Sequence, residues 1–221
     1  MSELDTAGRR SLPGLTYPER YLHELSIELT ERFTGTFNGE TVERYVLESY
    51  TALLRTATVK AHLASRVIRF ATERLTALAQ AKGALAHDIP EVLFVCEHNA
   101  GRSQMAAVLT QSLAGERVHV RSAGSAPAAE LDPAVVTALQ ELGLDIAREF
   151  PKPLTDDVVQ AADVVVTMGC GDACPIYPGK RYLDWELDDP EQLSLDGVRR
   201  VRDEIRVHVD ELLQSLEVAP A

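Results

Sequence analysis

Apolar positions divide the chain into two parts near residues 84–90. Before that point they recur at steps of three and four, which is the period of an amphipathic helix. From residue 91, short continuous apolar runs alternate with helical stretches instead. We therefore predict two domains, residues 1–88 and residues 89–221.

The first part predicts three amphipathic helices joined by short turns. Thr16-Tyr17-Pro18-Glu19 is typical of a helix start, with Thr16 as N-cap and Glu19 completing a capping box. The apolar stripes comprise Leu22, Leu25, Leu29 and Phe33; Val42, Val46, Ser49 and Leu53; and Leu63, Val67, Phe70 and Leu78. We expect a three-helix bundle that serves packing or dimerisation, since an exposed apolar stripe on a small bundle favours a homodimer.

The second part predicts an α/β domain. Continuous apolar runs are typical of strands that are buried on both faces of a parallel sheet. The predicted strands cover residues 92–95, 118–121, 163–167 and 181–183, and the predicted helices cover 102–114, 133–142 and 195–216. Strands separated by helices indicate crossover connections, so we expect an open parallel sheet of four strands with flanking helices.

Charge and composition narrow the function. A net charge of -12 argues against nucleic acid as a partner, although one positive pocket can still bind a small anion. No apolar run reaches membrane-spanning length and the start of the chain does not resemble a signal peptide, so we expect a cytoplasmic protein without membrane contact. Three cysteines, an odd number, indicate reactive thiols, metal ligands or core residues rather than structural disulfides.

The strongest chemical signal lies between the first predicted strand and the next helix, in Cys96-Glu97-His98-Asn99-Ala100-Gly101-Arg102-Ser103. Backbone N–H groups at a helix start lack partners, so such a loop can surround a tetrahedral oxyanion. Gly101 permits close backbone approach, and Arg102 adds a planar fork for two oxygens. The positive surroundings favour Cys96 as a thiolate nucleophile, to which Ser103 can donate a hydrogen bond, while Asn99 can brace the loop.

The stretch CEHNAGRSQ resembles the phosphate-binding loop of the low-molecular-weight protein tyrosine phosphatase superfamily, and more closely that of its arsenate reductase branch. Ser122-Ala123-Gly124 is similar to the segment that closes the second strand in that family. The resemblance covers roughly residues 91–217, and the helical part before it resembles an extension of some actinobacterial arsenate reductases. It implies arsenate as the ligand of loop 97–103, with phosphate or sulfate as mimics.

The resemblance also implies a proton donor at Asp189. In the family, an Asp directly before a Pro protonates the leaving oxygen, and Asp189 matches that position beside its neighbour Asp188. The structural alternative is a polar turn. Glu191 and Gln192 follow Pro190, where the phosphatases carry aromatic substrate-lining residues, which favours a reductase.

The two remaining cysteines follow the third predicted strand. Cys170 and Cys174 are four residues apart, which on a helix separates their Cα atoms by about 6 Å, within disulfide reach. Gly169 and Gly171 ease remodelling of the segment, so Cys170 can swing towards Cys96. A zinc site and inert buried thiols are the alternatives. The spacing is shorter than in many thioredoxin-coupled members of the family.

These residues predict a disulfide relay. Cys96 attacks arsenic, Cys170 attacks the Cys96 sulfur, and Cys174 then moves the disulfide to Cys170–Cys174, where thioredoxin reduces it. The scheme needs no metal or organic cofactor. Three alternatives stay open: a true phosphatase, a mycothiol-coupled reductase that does not need Cys170 and Cys174, and a non-catalytic oxyanion sensor.

Overall fold

The computed structural model describes residues 18–57, 62–86, 88–169 and 174–217. This described part contains seven α-helices and four strands. In chain order they are α1 (Pro18–Arg32), α2 (Gly39–Thr56), α3 (Leu63–Ala81), β1 (Glu91–Cys96), α4 (Arg102–Ala114), β2 (His119–Gly124), α5 (Pro133–Gln140), α6 (Asp156–Ala161), β3 (Val164–Met168), β4 (Arg181–Asp184) and α7 (Leu195–Ser215). No helix in these ranges combines the length and apolar character needed to cross a bilayer.

The chain forms two compact units, residues 1–71 and 72–221, and the division falls inside α3. The sequence predicts a later boundary, at residues 88 and 89, because helical periodicity continues to the end of α3. The last turns of α3 instead belong with the sheet, since the buried Arg74 side chain contacts Asp157 at 3.1 Å. As a boundary between domains, the division at 88 and 89 stays a prediction.

The first unit confirms the predicted helices that precede the sheet. All members of the first two apolar stripes are buried. In the third stripe Leu63, Val67 and Phe70 are buried. In the part of α3 that belongs to the second unit, Leu78 of this stripe is half-buried, whereas Leu75 is fully buried. Asn38 caps α2 by accepting a hydrogen bond from the Thr41 N–H. The predicted cap at Thr16 lies outside the described residues.

The second unit confirms the predicted α/β fold. Its four strands are all parallel, in the order β2-β1-β3-β4, with β1 central and buried along its whole length. The predicted strands were correct to within a few residues, except that β2 continues to Gly124. The short helix α6 was not predicted, because its six residues are too few to show a helical period.

Each face of the sheet has its own apolar core. Even-numbered residues of β1 face α4, α5 and α7, and Cys96 belongs to this face. Odd-numbered residues face α6 and the end of α3. Because side chains alternate along a strand, the even or odd position of a residue in β1 decides on which face of the sheet its side chain lies.

A buried charge cluster joins the amino-terminal ends of β1 and β2. The fully buried Glu91 carboxylate pairs with Arg121 and lies 3.3 Å from Nδ1 of His119. Burial raises the pKa of Glu91, but the His119 contact and the charge of Arg121 outweigh burial, so the pKa is lowered from its usual value. Arg121 also donates to the Gln80 side chain at 2.9 Å, which ties α3 to this end of the sheet.

Candidate active site

The candidate nucleophile ends the central strand. Cys96 is the last residue of β1, and it pairs with Gly124 of β2 and with Met168 of β3. Loop 97–101 follows and leads directly into α4, whose first residue is Arg102. The loop therefore lies at the carboxyl edge of a parallel sheet and at a helix amino terminus, where the backbone is suited to bind an anion.

Two hydrogen bonds converge on the Cys96 sulfur. The backbone N–H of Asn99 donates to Sγ at 3.2 Å, and the Ser103 hydroxyl lies 2.9 Å from Sγ. Ser103 Oγ itself accepts a hydrogen bond from Nδ2 of Asn99 at 2.8 Å. The hydroxyl proton is therefore available to the sulfur, so that both contacts can donate to Sγ.

Asn99 holds the loop in shape. Its Oδ1 accepts hydrogen bonds from the Lys152 backbone N–H at 2.8 Å and from Nε2 of Gln104 at 3.1 Å. These two donors fix the orientation of the amide, so that Nδ2 points to Ser103. The φ angle of Asn99 is 48°, a left-handed conformation that Asn tolerates better than most residues. The sequence-based expectation that Asn99 braces the loop agrees with this geometry.

Arg102 and Asp189 face each other across the pocket. Nη2 of Arg102 lies 2.5 Å from Oδ2 of Asp189, and Nη1 lies 3.5 Å from the Leu187 carbonyl oxygen. The Arg102 side chain is 9% exposed and the Asp189 carboxylate 45%. Asp189 Oδ1 accepts a hydrogen bond from the Glu191 N–H, which positions the turn. The exposed Asp188 side chain instead borders a separate pocket with Trp185.

Two glycines allow close contacts with these residues. A Cβ on Gly101 would lie 2.6 Å from Cγ of Pro190, so the Asp189-Pro190 turn packs directly on the loop. Gly169, with φ of +71°, leaves no room for a Cβ either, since one would lie 2.8 Å from Nη1 of Arg102. The end of β3 therefore bounds the position of the Arg102 guanidinium.

The pocket above the sulfur has a volume of about 340 Å³. Its lining includes Cys96, Ala100, Gly101 and Arg102 from the loop and helix, and Asp189, Pro190 and Glu191 from the facing turn. His98 is part of the rim, with Nδ1 3.4 Å from Glu191 and Nε2 3.6 Å from the half-exposed Glu97 carboxylate. The pocket thus joins a thiol, a guanidinium and a carboxyl group within one small space.

Of the two further cysteines, the structure describes only Cys174. Cys170 lies outside the described residues. Cys174 is half-buried and packs against the core on the face of Leu93 and Val95, opposite to the face of Cys96. A relay between them would therefore pass around the carboxyl end of β3, the strand adjacent to Cys96.

The chain matches two protein-family models. One, described as low molecular weight phosphotyrosine protein phosphatase, matches residues 91–219, which is more than half of the chain. The chain belongs to this family. A second model, described as the N-terminal domain of protein-tyrosine-phosphatase-like proteins, matches residues 22–79.

The relatives of this phosphatase-family chain include named arsenate reductases. The solved structure of a thioredoxin-dependent arsenate reductase from Corynebacterium glutamicum is 48% identical with a TM-score of 0.83, and the match covers 90% of this chain and 97% of that one. A putative arsenate reductase of Halobacterium salinarum is 33% identical over 124 residues, covering 54% of this chain and 87% of the relative. A glutaredoxin arsenate reductase of Synechocystis is 30% identical over 129 residues, covering 57% of this chain and 98% of the relative.

Two buried residues that were not predicted from the sequence support the loop 97–101. Gln104 is fully buried, and its Nε2 also donates to the carbonyl oxygens of Asn99 and Phe150. Lys152 is buried, and its backbone is joined both to Asn99 and to the Gly124 N–H. Gln104 is adjacent to Ser103 in the loop motif and could have been noted there, whereas nothing in the sequence relates Lys152 to residue 99.

Proposed function

We propose that this chain reduces arsenate to arsenite, with Cys96 as the nucleophile and Cys170 and Cys174 as a thiol relay. The observation that carries the proposal is the pairing of Cys96 with Met168, because the segment that contains both other cysteines then begins beside the nucleophile. The named relatives, which are arsenate reductases, support the same reaction.

When arsenate binds, it replaces Asp189 as the partner of the Arg102 guanidinium. In the described structure the guanidinium is paired with Asp189. An oxyanion bound by the loop amides would take that place, because its charge is higher and its oxygens match the planar fork. Asp189 then remains next to the bound anion, held by its hydrogen bond from the Glu191 N–H and by the packing of Pro190 on Gly101.

The first step forms a sulfur–arsenic bond. The Cys96 thiolate attacks arsenic, and one As–O bond breaks as Asp189 protonates the departing hydroxyl to give water. In the second step the Cys170 thiolate attacks the Cys96 sulfur. The sulfur–arsenic bond breaks with its electron pair remaining on arsenic, which is thereby reduced from the pentavalent to the trivalent state and leaves as arsenite.

The third step moves the disulfide to the reductant. Cys174 attacks Cys170 and releases Cys96 as a thiolate, which leaves a Cys170–Cys174 disulfide. Because Cys174 packs on the opposite face of the sheet from Cys96, this exchange carries the oxidised pair out of the substrate pocket. A dithiol reductant of the thioredoxin type then supplies two electrons. Thiols that must be reduced after each cycle suit a cytoplasmic protein.

The test is arsenate-dependent oxidation of NADPH, coupled through thioredoxin and thioredoxin reductase. We expect turnover by the wild type, none by Cys96→Ser, and one equivalent of arsenite per chain from Cys174→Ser, which stalls as a Cys96–Cys170 disulfide detectable by mass spectrometry. Sustained turnover by Cys174→Ser would contradict the relay and favour resolution by a small thiol such as mycothiol.

An aryl phosphate assay tests the phosphatase alternative on the same variants. A phosphatase would hydrolyse the aryl phosphate at equal rates with and without Cys174, and would oxidise no NADPH in the presence of arsenate. Binding of arsenate without either reaction would instead identify a sensor.

We also propose that the chain forms a homodimer through its helical unit. Ile27 of α1 and Leu47 of α2 are each about half exposed, at 49% and 48%, although they lie on well-formed helices. Light scattering of the wild type and of Leu47→Glu measures the state directly. A monomeric wild type would contradict this proposal and leave the reaction unaffected.

A further inference from the structure

Ile176 is an unusually exposed aliphatic residue beside the last cysteine. Its side chain is 82% exposed, more than any other large hydrophobic side chain in the described part of the chain. The next most exposed is Val207 of α7, at 57%. Only Pro175 separates Ile176 from Cys174, so the exposed side chain adjoins a thiol of the proposed relay.

The backbone on both sides of Ile176 is fixed. The Tyr182 hydroxyl of β4 donates to the Pro175 carbonyl oxygen at 3.1 Å and accepts from the Tyr177 N–H at 2.8 Å. Tyr177, Tyr182 and Cys174 all pack against the core on this face of the sheet. Ile176 is therefore held in solvent between two backbone groups bound by Tyr182, where an aliphatic side chain contributes nothing to folding.

Disulfide geometry determines what must cover this turn. In a mixed disulfide with Cys174, the two Cα atoms lie about 4.4–6.8 Å apart. Ile176 is two residues from Cys174, so its Cα lies within about 7 Å of the attacked residue. A protein that presents its own cysteine to Cys174 therefore has to place its surface over Ile176, whereas a small thiol does not.

We propose that Ile176 anchors the docking surface for a dithiol protein of the thioredoxin type, a proposal that rests on the relay described above. The reductant's first thiolate attacks Cys174 and releases Cys170 as a thiolate, forming the mixed disulfide. Its second thiol then attacks the reductant's own first sulfur and releases Cys174. One dithiol becomes a disulfide, and the two electrons reduce the Cys170–Cys174 bond.

Anchoring by Ile176 affects the affinity for the reductant but not the chemistry on arsenic. Burial of one aliphatic side chain in an interface is worth a factor of roughly ten or more in affinity. Ile176→Ser should raise the KM for thioredoxin about tenfold. The KM for arsenate should not change, because Ile176 does not line the substrate pocket.

The experiment measures steady-state turnover at varied thioredoxin concentration for the wild type, Ile176→Ser, Ile176→Leu and Val207→Ser. The Leu variant keeps an apolar anchor and should retain a KM within about twofold of the wild type. Val207→Ser removes an exposed aliphatic residue from α7 and serves as the matched control. Dithiothreitol as reductant should support all four proteins equally, since a small dithiol needs no docking surface.

An unchanged KM for thioredoxin in Ile176→Ser would overturn the proposal, and so would an equal rise in Ile176→Leu or Val207→Ser. Single-turnover release of arsenite, measured without reductant, distinguishes a failure of the docking proposal from a failure of the proposed arsenate reduction. If the wild type releases no arsenite, the proposed function fails. If the wild type releases arsenite and the KM for thioredoxin is unchanged in Ile176→Ser, only the docking proposal is wrong.

Discussion

Gly169→Ala tests whether the end of β3 sets the position of the Arg102 guanidinium, which we propose to bind the oxyanion. A Cβ at this position would lie 2.8 Å from Nη1 and 3.6 Å from Cζ of Arg102. The Arg102 side chain is largely buried and held by Asp189 and the Leu187 carbonyl oxygen, so it cannot move away without breaking those contacts. We therefore expect the substitution to displace the guanidinium from the pocket.

The same substitution also imposes a backbone cost, which a second glycine measures separately. Gly169 has φ of +71° and Gly179 has φ of +81°, and a Cβ on Gly179 would meet nothing within 4 Å. Alanine in the left-handed region costs about 1 kcal/mol at either position. The backbone part of the loss in unfolding free energy should thus be similar in both variants, and only Gly169→Ala should lose more through Arg102.

The expected magnitude follows from the hydrogen bonds that Arg102 would make to the anion. Hydrogen bonds to charged groups contribute about 1.5–3 kcal/mol, so partial displacement should weaken oxyanion binding roughly tenfold or more. Calorimetric titration of the reduced protein with phosphate, as a mimic of arsenate, measures the affinity, and urea unfolding measures the stability. If Gly169→Ala binds phosphate as tightly as Gly179→Ala does, the end of β3 does not set the position of the Arg102 guanidinium and this prediction is wrong.

Three further predictions concern the proposed proton donor, a buried ion pair and the pH dependence of the unfolding free energy. Asp189→Asn should lower kcat for arsenate about 100-fold because Asn cannot donate a proton, whereas Asp188→Asn should stay within about twofold of the wild type. Arg74→Met should lower the unfolding free energy by about 3 kcal/mol because it leaves the Asp157 carboxylate buried without its guanidinium, as urea unfolding will measure. Glu91→Gln should remove part of the loss of unfolding free energy that the wild type shows below about pH 4.5. The lowered pKa of Glu91 means that its ionised carboxylate stabilises the fold above the pKa of the unfolded state. This contribution is lost as the pH falls through the pKa of the folded state.

Each of these predictions has a result that contradicts it. Equal kcat losses in the two Asp variants would mean that neither carboxyl is the specific acid. Recovery of most of the stability in Arg74→Met/Asp157→Leu is expected, and its absence would mean that the guanidinium acts through packing rather than charge. An unfolding free energy that falls as steeply between pH 6 and pH 3 in Glu91→Gln as in the wild type would exclude Glu91 as a source of the acid response.

The residues of the candidate site that are consecutive in the sequence could be predicted to lie close together. Cys96, Asn99, Arg102 and Ser103 occupy one loop and one helix start, so their approach follows from local geometry alone. The contacts of Asn99 with Lys152 could not be predicted, because residues 53 positions apart meet only through the order of strands in the sheet. Asp189 was predicted from family resemblance, and the structure adds that its carboxylate is paired with Arg102.

The sequence by itself determined the elements and the loop that we propose to bind an oxyanion, because periodicity and a continuous motif are local properties of the chain. Only the tertiary structure decided that β3 lies beside β1, that α3 divides between two units, and that Cys174 packs on the opposite face of the sheet from Cys96. These features depend on which strands pair and on which side chains share a face. The order of the strands and the face on which each side chain is buried are set by packing between distant segments, and no local pattern encodes them.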